Sequence, residues 1–556
     1  MPHYMETKIQ RYKRRGQDLI DERQSWISHW RELSDFFSPR TSRFLLTDSN
    51  RGDKRNNRII DNTAGIAVRN LVSGFLSMNT SPARPWFKQQ PLDPKERKRV
   101  PVLRWLEEYE EVQRDILYRS NFYSEAAKIY EQSAVYGTGA MFIEGDPQQV
   151  MHCTVFPIGS YALAAGKRGR VDTFYREYQL SVRQLVDEFG IENLTPATKA
   201  LYENRQFDKK MDVCHMIQPN YDYEIGSLAP TRRKFTDCYW EKTSVEGFLK
   251  EGGFNYFPIL APRWKVNGED TYGYSGAMDC LGAVKALQLY EKRTANAVDK
   301  MVSPPLLADE SLRRNKINTT PDQVTYSSSM NAGSGIKPIY QISFDIQSAE
   351  MKSERCRQQI RDALFESLFV MLSSNRRSDT TAEEIRGLQD EKMTLIGPVL
   401  ERFDDEFLDP LFDIMHEIMM EYGLVPEPPQ DVQGLAFKPE YTSLMAQAMQ
   451  MVGLSSMDRA LAVTGQTAGM YPQVADLIDP DKYMQQYYRR VGVSPEVLRT
   501  EEEVAEIRAA KAEQQQQATQ MQATQQQAEM AKTMSETKMN QDSGLDQLLA
   551  VTTGQA

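Results

Sequence analysis

Five carboxylates, Glu401, Asp404, Asp405, Glu406 and Asp409, fall within a single short stretch. That density could hold two divalent metals for phosphoester chemistry. The same stretch also fits a helix whose acidic groups flank an apolar stripe as solvated faces, and that is the reading adopted. His152-Cys153 and Cys214-His215 supply the side-chain types of a zinc site. Both dipeptides lie in strand-like runs, where adjacent side chains point to opposite faces, so each strand would present one ligand. Gly166-Lys167 is followed by Arg168, and position 161 is Tyr, so the phosphate-cradling loop of an ATPase is missing. Gly137-Thr138-Gly139 lacks the third glycine of a dinucleotide fingerprint, because position 142 is Phe. A turn with positive φ accounts for it. The five histidines show no nucleophile–base pattern. The residues therefore point to no catalytic group, no cofactor and no metal.

The elements that would position such groups are mostly helical. Trp26, Trp30, Leu33 and Phe37 share one helix face, and Ser38-Pro39 stops it. A basic loop, 51–58, precedes a helix through Ala67, Leu71, Phe75 and Met78, and two more helices occupy 103–136. Residues 1–60 carry five more cations than anions, read as a solvated surface in preference to a partner patch. From 140 to 264 the texture becomes α+β. Strands are expected at Met141–Glu144, Met151–Phe156, Val171–Tyr178, Asp212–Ile217, Phe235–Trp240 and Phe254–Leu260, and short helices at Val182–Phe189 and Pro196–Asn204.

Ser275 to Val302 is one long amphipathic run ended by Ser303-Pro304-Pro305. A β-and-turn segment follows, and a second helical run begins near Ser348 and continues to Met371. Two long helices flanking a β insertion imply an antiparallel hairpin with the β piece at its tip. A polar break at 372–380 precedes a capping box, Thr380-x-x-Glu383 or Thr381-x-x-Glu384. The helix after it runs to about Tyr422 with Pro398 and Pro410 inside, so kinks are expected near both. Residues 441–508 are again helical and rich in Met and Ala. The Met-rich stretches 415–420 and 445–457 read as core or subunit-contact filler. The tail from 511 holds 12 Gln and is either a solvated helix or disordered.

Composition narrows the class. The 556 residues include 67 Lys+Arg and 77 Asp+Glu, a formal net charge of −10, with 40% hydrophobic and 26% charged residues. That is the balance of a soluble globular chain. No run reaches the roughly 18 apolar residues of a membrane span, and the opening residues lack the apolar core of a signal peptide. The acidic total disfavours a general nucleic-acid coat without excluding a local basic site. Five scattered cysteines, 153, 214, 238, 280 and 356, read as reduced thiols.

Several segments together carry a likeness. They are Asp61-Asn-Thr-Ala64, Ser81-Pro-Ala-Arg-Pro-Trp-Phe87, Ser120-Asn-Phe-Tyr123, Tyr136-Gly-Thr-Gly139, Arg263-Trp264 and Tyr272-Gly-Tyr-Ser275. Further on come Thr380-Thr-Ala-Glu-Glu-Ile385, Leu395-Ile-Gly-Pro-Val-Leu400, Leu408-Asp-Pro-Leu411, Gly492-x-x-Pro495 and Arg499-Thr-Glu-Glu-Glu-Val504 with Ile507-Arg508. Taken in order, they resemble the portal, or head-to-tail connector, proteins of short-tailed double-stranded DNA bacteriophages.

The resemblance implies a mostly helical α+β subunit that forms a ring of twelve copies at one capsid vertex. Residues 1–274 would be the wing (helical 1–139, α+β 140–274), 275–302 and 346–371 the stem helices, and 303–345 the clip. Residues 372–380 would form the tunnel loop, with Ser373, Ser374, Asn375, Arg376 and Arg377 at the DNA channel. Residues 381–439 would be the long kinked helix and part of the wing, 440–510 a helical crown, and 511–556 the Gln-rich tail. The partners implied are the packaging ATPase (terminase), major capsid and scaffolding proteins, tail adaptor or nozzle proteins, and internal core or ejection proteins. Double-stranded DNA would pass without sequence preference, and no membrane partner is expected. The location implied is the portal vertex of the virion, reached through the host cytoplasm during assembly. The motor's ATPase being a separate protein agrees with the missing phosphate loop. Twelve copies at −10 would carry about −120, so the ring would repel DNA overall and let it slide. Arg376 and Arg377 could brush phosphates or pair across a subunit interface. A metal-dependent DNA-processing enzyme and a monomeric helical adaptor are the alternative classes.

Overall fold

In the computed structural model, helix α1 (Lys8–Phe36) opens on a capping box between Thr7 and Gln10, which satisfies two backbone donors of its first turn. The structure describes residues 6–46, 55–93, 96–227, 229–303, 306–307, 337–338, 345–373, 382–428, 434, 436–443 and 454–491, with 504, 507–511 and 526. The chain divides into two compact units, residues 1–453 and 454–556.

In the first unit α1 lies on an antiparallel five-stranded sheet. Its strands, in spatial order, are β4 (Tyr161–Ala165), β5 (Val171–Ser181), β6 (Lys210–Pro219), β7 (Phe235–Glu241) and β8 (Lys250–Phe254), with the short helices α5 (Val182–Phe189) and α6 (Pro196–Glu203) between β5 and β6. Tyr12 bonds Thr236 (3.0 Å) beneath Trp240, and Gly16 lets the helix approach Tyr175. The expected strand Phe254–Leu260 is in fact two. β8 stops at Phe254, and β9 (Ile259–Leu260) joins β2 (Met141–Asp146) and β3 (Val150–Val155) in a separate three-stranded sheet. Pro258, which has no amide hydrogen to give a ladder, lies in the gap between them. β4 was not expected from the sequence. Neither was the pairing of β1 (Phe87–Pro91) with β12 (Phe437–Tyr441), which joins chain segments 350 residues apart.

The main core gathers α2 (Thr63–Met78), α3 (Val100–Arg119), α4 (Phe122–Tyr136) and the helices that follow the sheets. Phe75 is its hub, with Tyr130, Trp264, Phe369 and Phe403 rings 5.3–5.8 Å away. Gly137 closes α4 at φ +80, and a Cβ there would fall 2.1 Å from the Gly273 carbonyl oxygen. The glycine word Gly137-Thr-Gly139 is thus a helix cap and a close crossing of two backbones. The Met-rich stretch 415–420 is core on one face, with Met415 and Met419 buried and Met420 exposed.

α7 (Gly276–Val302) and α8 (Ile346–Ala363) form the expected antiparallel hairpin. Two short strands, β10 (Leu306–Leu307) and β11 (Lys337–Pro338), pair antiparallel in the segment between them. The single helix expected over 346–371 is broken. α8 ends at Ala363, Phe365 turns left-handed at φ +54, and α9 (Glu366–Ser373) starts anew. The long helix is α10 (Ala382–Phe403), a π turn at Asp404–Leu408, and α11 (Asp409–Glu421). α10 continues through Pro398, whereas the irregularity expected near Pro410 takes the form of the π turn. There the Asp409 amide bonds back to the Asp404 carbonyl, and Pro410 next along has no hydrogen to donate. The second unit contains helices Leu454–Met470 and Pro480–Val491, and Arg508 forms a two-pronged bond to Asp481 at 2.6 and 2.7 Å.

Candidate functional site: a helical hairpin and its anchors

The hairpin is set by its caps. Ser275, fully buried, accepts the Met278 amide at α7's start and donates to the Val135 carbonyl at 2.7 Å. Asp345 accepts the Ser348 hydroxyl and the Ser348 and Gln347 amides at the start of α8, which holds its carboxyl below the usual range. Along α7 the two halves differ. Ala277, Met278, Leu281, Val284 and Leu287 are core, but beyond Gln288 no residue of α7 is buried. Leu289 (45% exposed), Met301 (44%), Val302 (78%) and, on α8, Met351 (66%) leave apolar surface in water.

The base is tied down by polar groups. Gln288 accepts the Ile60 and Asp61 amides (2.6 and 2.9 Å) and donates to the Asp61 carbonyl (2.8 Å), so one side chain fixes the segment entering α2. Arg357, on α8, reaches Asp61 (3.0 Å), Glu291 on α7 (2.9 Å), Glu350 (3.0 Å) and Glu354 (3.2 Å). Burial opposes charge on this guanidinium, but the bonds from Asp61, Glu350 and Glu354 outweigh it and raise its pKa. Burial likewise opposes charge on Asp61, and its bonds from Thr63 and Arg357 reverse that, leaving its pKa lowered.

Just before α7, Arg263 makes a second anchor. Its Nε and Nη2 donate to Glu406 at 3.0 and 2.6 Å, its backbone amide adds a third bond at 3.0 Å, and Arg402 reaches the same carboxylate. The two side chains are 3% and 9% exposed. This corrects the reading of the acidic run as solvated faces for three of its five members, while Glu401 and Asp405 are exposed as expected. Glu406 is a buried ion-pair partner, and Asp409 accepts the Tyr441 hydroxyl. Asp404 is half-buried; burial, with Asp409, Asp405 and Glu401 close by, pushes its pKa up to about 7. A helix of 3.6 residues per turn would have spread these groups, and the π turn changes which of them face inward. Among the described residues no group of three or more His, Cys, Asp or Glu could hold a metal.

The His–Cys dipeptides obey strand alternation. Cys214 lies under Tyr175 and Trp240, while His215 on the other face bonds Asp237 at 2.7 Å and stacks on Tyr239. Burial lowers the pKa of His215 despite that carboxylate. All five cysteines are free and buried.

Of the residues expected at the channel, Ser373 is the last residue of α9. Ser374, Asn375, Arg376 and Arg377 lie outside the described residues. α9 itself is docked on α2, where Asn70 donates to Glu366 (2.6 Å). Phe369 crosses Gly74 so closely that a Cβ there would be 2.2 Å from its ring. Sequence reasoning missed Gln288 and Arg357 and read Glu406 as solvated. A polar Gln within an apolar stripe was the one available signal, since the partners of the two charged residues are far away in sequence.

The sequence comparisons agree with the earlier likeness. Residues 9–498 match the family described as bacteriophage head to tail connecting protein. The portal protein of Salmonella phage epsilon15 is 40% identical over 97% of this chain and 98% of its own length. The probable portal protein of Bordetella phage BPP-1 is 35% identical over 90% of each. A chain from the neck of an empty GTA particle matches 76% of this chain and 93% of its own at 13% identity. Its TM-score of 0.34 is too low to support an argument about fold.

Proposed function

The chain belongs to the family of bacteriophage head-to-tail connecting proteins, and on that footing we propose that twelve copies close into a ring around a DNA channel. The family role is structural, that of the portal protein at the junction of head and tail in the virion. No helix among the described residues is long and apolar enough to cross a membrane.

The observation that carries the ring is the hairpin. Its distal half leaves the core with no buried residue on α7 and with apolar side chains in water, a surface that a lone chain has no use for. In the ring α7 and α8 are the stem, and 303–345, with its β10–β11 pair, is the clip where the packaging ATPase docks. Residues 1–274 form the wing, the α10–α11 helix crosses it, and 440–510 form the crown, facing internal core or ejection proteins. Capsid and scaffolding proteins meet the outside of the ring during nucleation of the procapsid, and tail proteins replace the motor afterwards. The segment 372–380, whose first two residues close α9, narrows the channel, and Arg376 with Arg377 brushes passing phosphates. The ring itself hydrolyses neither ATP nor DNA.

Size-exclusion chromatography with mass measurement tests this reading. A closed ring of twelve supports it, and a stable monomer at micromolar concentration removes it. Metal-dependent nuclease activity lost on Asp404→Ala or Asp405→Ala would instead favour an enzyme.

A further inference from the structure

The outer edge of β5 is open for part of its length. β4 pairs with it only up to Arg176, and among the described residues no strand covers 177–181 on that side. The Val182 amide bonds the Lys209 carbonyl (3.0 Å), whereas the Ser181 amide turns away from β6 to Gln184 (2.9 Å). Strand alternation then points the amides and carbonyls of Glu177 and Gln179 away from β6 too. They border a groove of about 390 Å³ whose other walls include Ile20 and Arg23 of α1 with Arg43 and Leu45. Such an edge is a template for another stretch of chain.

The groove is also short of negative charge. Arg23 and Arg43 make no ion pair among the described residues and bond only backbone carbonyls, those of Tyr161, Arg40 and Ser42. The Nε of Arg23 is buried without a partner, and burial lowers the pKa of that guanidinium. Glu177, the one carboxylate among the lining residues, is already taken by Lys242 (2.6 Å) and the Tyr175 hydroxyl (2.8 Å).

The loop between β6 and β7 carries what that groove lacks. Tyr221 and Ile225 are 96% and 90% exposed, apolar surface that the lone chain leaves in water. Glu224 pairs with Arg232 at 3.2 Å, but the Asp222 carboxylate has no ion pair among the described residues. The loop cannot fill the groove of its own copy. Glu177 lies opposite Cys214 on β6, and Tyr221 is seven residues further along, about 23 Å away. Groove and loop thus sit toward opposite ends of β6, and a head-to-tail ring requires such unlike surfaces on each copy.

We infer that Tyr221 of one copy enters the β5 groove of the next, with its loop backbone on the free edge and Asp222 against Arg23 and Arg43. This rests on the ring reading and names a contact within it. Tyrosine suits the role, since it brings a large, rigid contact area at low entropic cost.

A cysteine on each side tests it, because all five native cysteines are buried and Leu45, at the groove wall, is 61% exposed. In the ring, Tyr221→Cys combined with Leu45→Cys should link neighbouring copies on mild oxidation with diamide and give a ladder on a non-reducing gel. Held side by side, the two thiols should link at least about tenfold more chain than either single variant does. Adding Asp222→Lys, a change at an exposed residue, should lower that linkage about tenfold by setting a third cation against two guanidiniums. Size exclusion run alongside reports the ring itself. Rings in which the double variant links no more than the singles overturn the docking and leave the ring standing. Linkage that Asp222→Lys does not change overturns it as well, since the arginines then play no part in the contact. A wild-type chain that stays monomeric removes the ring reading and the docking together.

Discussion

The base and the distal half of the hairpin use the same helices in opposite ways. At the base, side chains from distant segments converge, Gln288 on the 60–61 backbone, Arg357 on Asp61 and Glu291, Arg263 on Glu406. Beyond Gln288, among the described residues, the one ion pair that α7 makes is with α8. Folding free energy within one copy is therefore concentrated at the base. A long helix need not be stabilised along its whole length by its own chain; it needs one firmly held end.

The sharpest way to break this contrast is to cut the buried anchor. Arg263→Ala leaves Glu406 in a nearly dry site with only Arg402 and the backbone amide of residue 263 on its carboxylate, and the loss should approach the cost of about 3–5 kcal/mol for breaking a buried pair. Urea melts should show that loss, and the chain should assemble poorly because it folds poorly. Arg357→Ala comes next. This guanidinium is 17% exposed, and two of its four partners are largely solvated, so the expected loss is smaller, about 2–3 kcal/mol. Equal costs for the two would mean that Arg357 is no less dry than Arg263.

A pH series separates the acidic turn from these anchors. Asp404 has a pKa raised by burial to about 7 in the folded chain, above its value in the unfolded chain. The folded state therefore binds that proton more tightly, and stability falls as pH rises from about 4 through about 7. Asp404→Asn removes the titration. It should melt higher than the parent at pH 8 and close to it at pH 4. A difference that is the same at both pH values would show that Asp404 does not titrate in this range.

Much of this was legible in the sequence, for reasons that particular residues make plain. Helix and strand periods were readable wherever one face is core, as in α1, α7 and β5–β7. The hairpin followed from two such helices around a β-rich insertion. What was not legible depends on partners remote in sequence. Tyr441 pairs with Phe87 across the β1–β12 ladder, and Glu406 is buried only because Arg263 arrives from 143 residues away. The break at Phe365 was hidden in a different way. Cys356, Ile360, Leu364 and Leu368 keep a helical period straight through it, so the pattern describes an unbroken helix that tertiary packing overrides. The residues expected at the channel rested on likeness alone.

That override makes a smaller and more discriminating prediction. Phe365 is a bulky residue in the left-handed region, which costs an L-residue about 1–2 kcal/mol. Its ring, half-buried near Trp264, and the docking of α9 through Glu366 and Phe369 hold it there. Phe365→Ala loses the ring and keeps the strain, while Phe365→Gly loses the ring and the strain together. Glycine should therefore be the more stable of the two by about 1 kcal/mol, the reverse of a helix interior, where alanine wins by about that much. Alanine proving more stable would mean that α8 and α9 join into one straight helix.

The smallest effect on folding belongs to the distal half, and there the contrast with the base is sharpest. Leu289 and Met351 are 45% and 66% exposed, so Leu289→Ser and Met351→Ser remove little apolar area that the lone chain has buried. Surface changes of this kind shift stability by about 0.5 kcal/mol or less. Their cost should appear in assembly instead, because in the proposed ring each would be repeated at every interface, and burying such a side chain is worth about 1.5–3 kcal/mol when it leaves water completely. Melting temperature should stay within the error of the measurement while the ring dissociates at higher protein concentration or lower denaturant than the parent. Such a split, normal folding with weak rings, is the opposite of what Arg263→Ala should show. If both serine variants assemble like wild type, the distal half stays in water in the ring as it does in the single chain, and the contact between copies lies elsewhere.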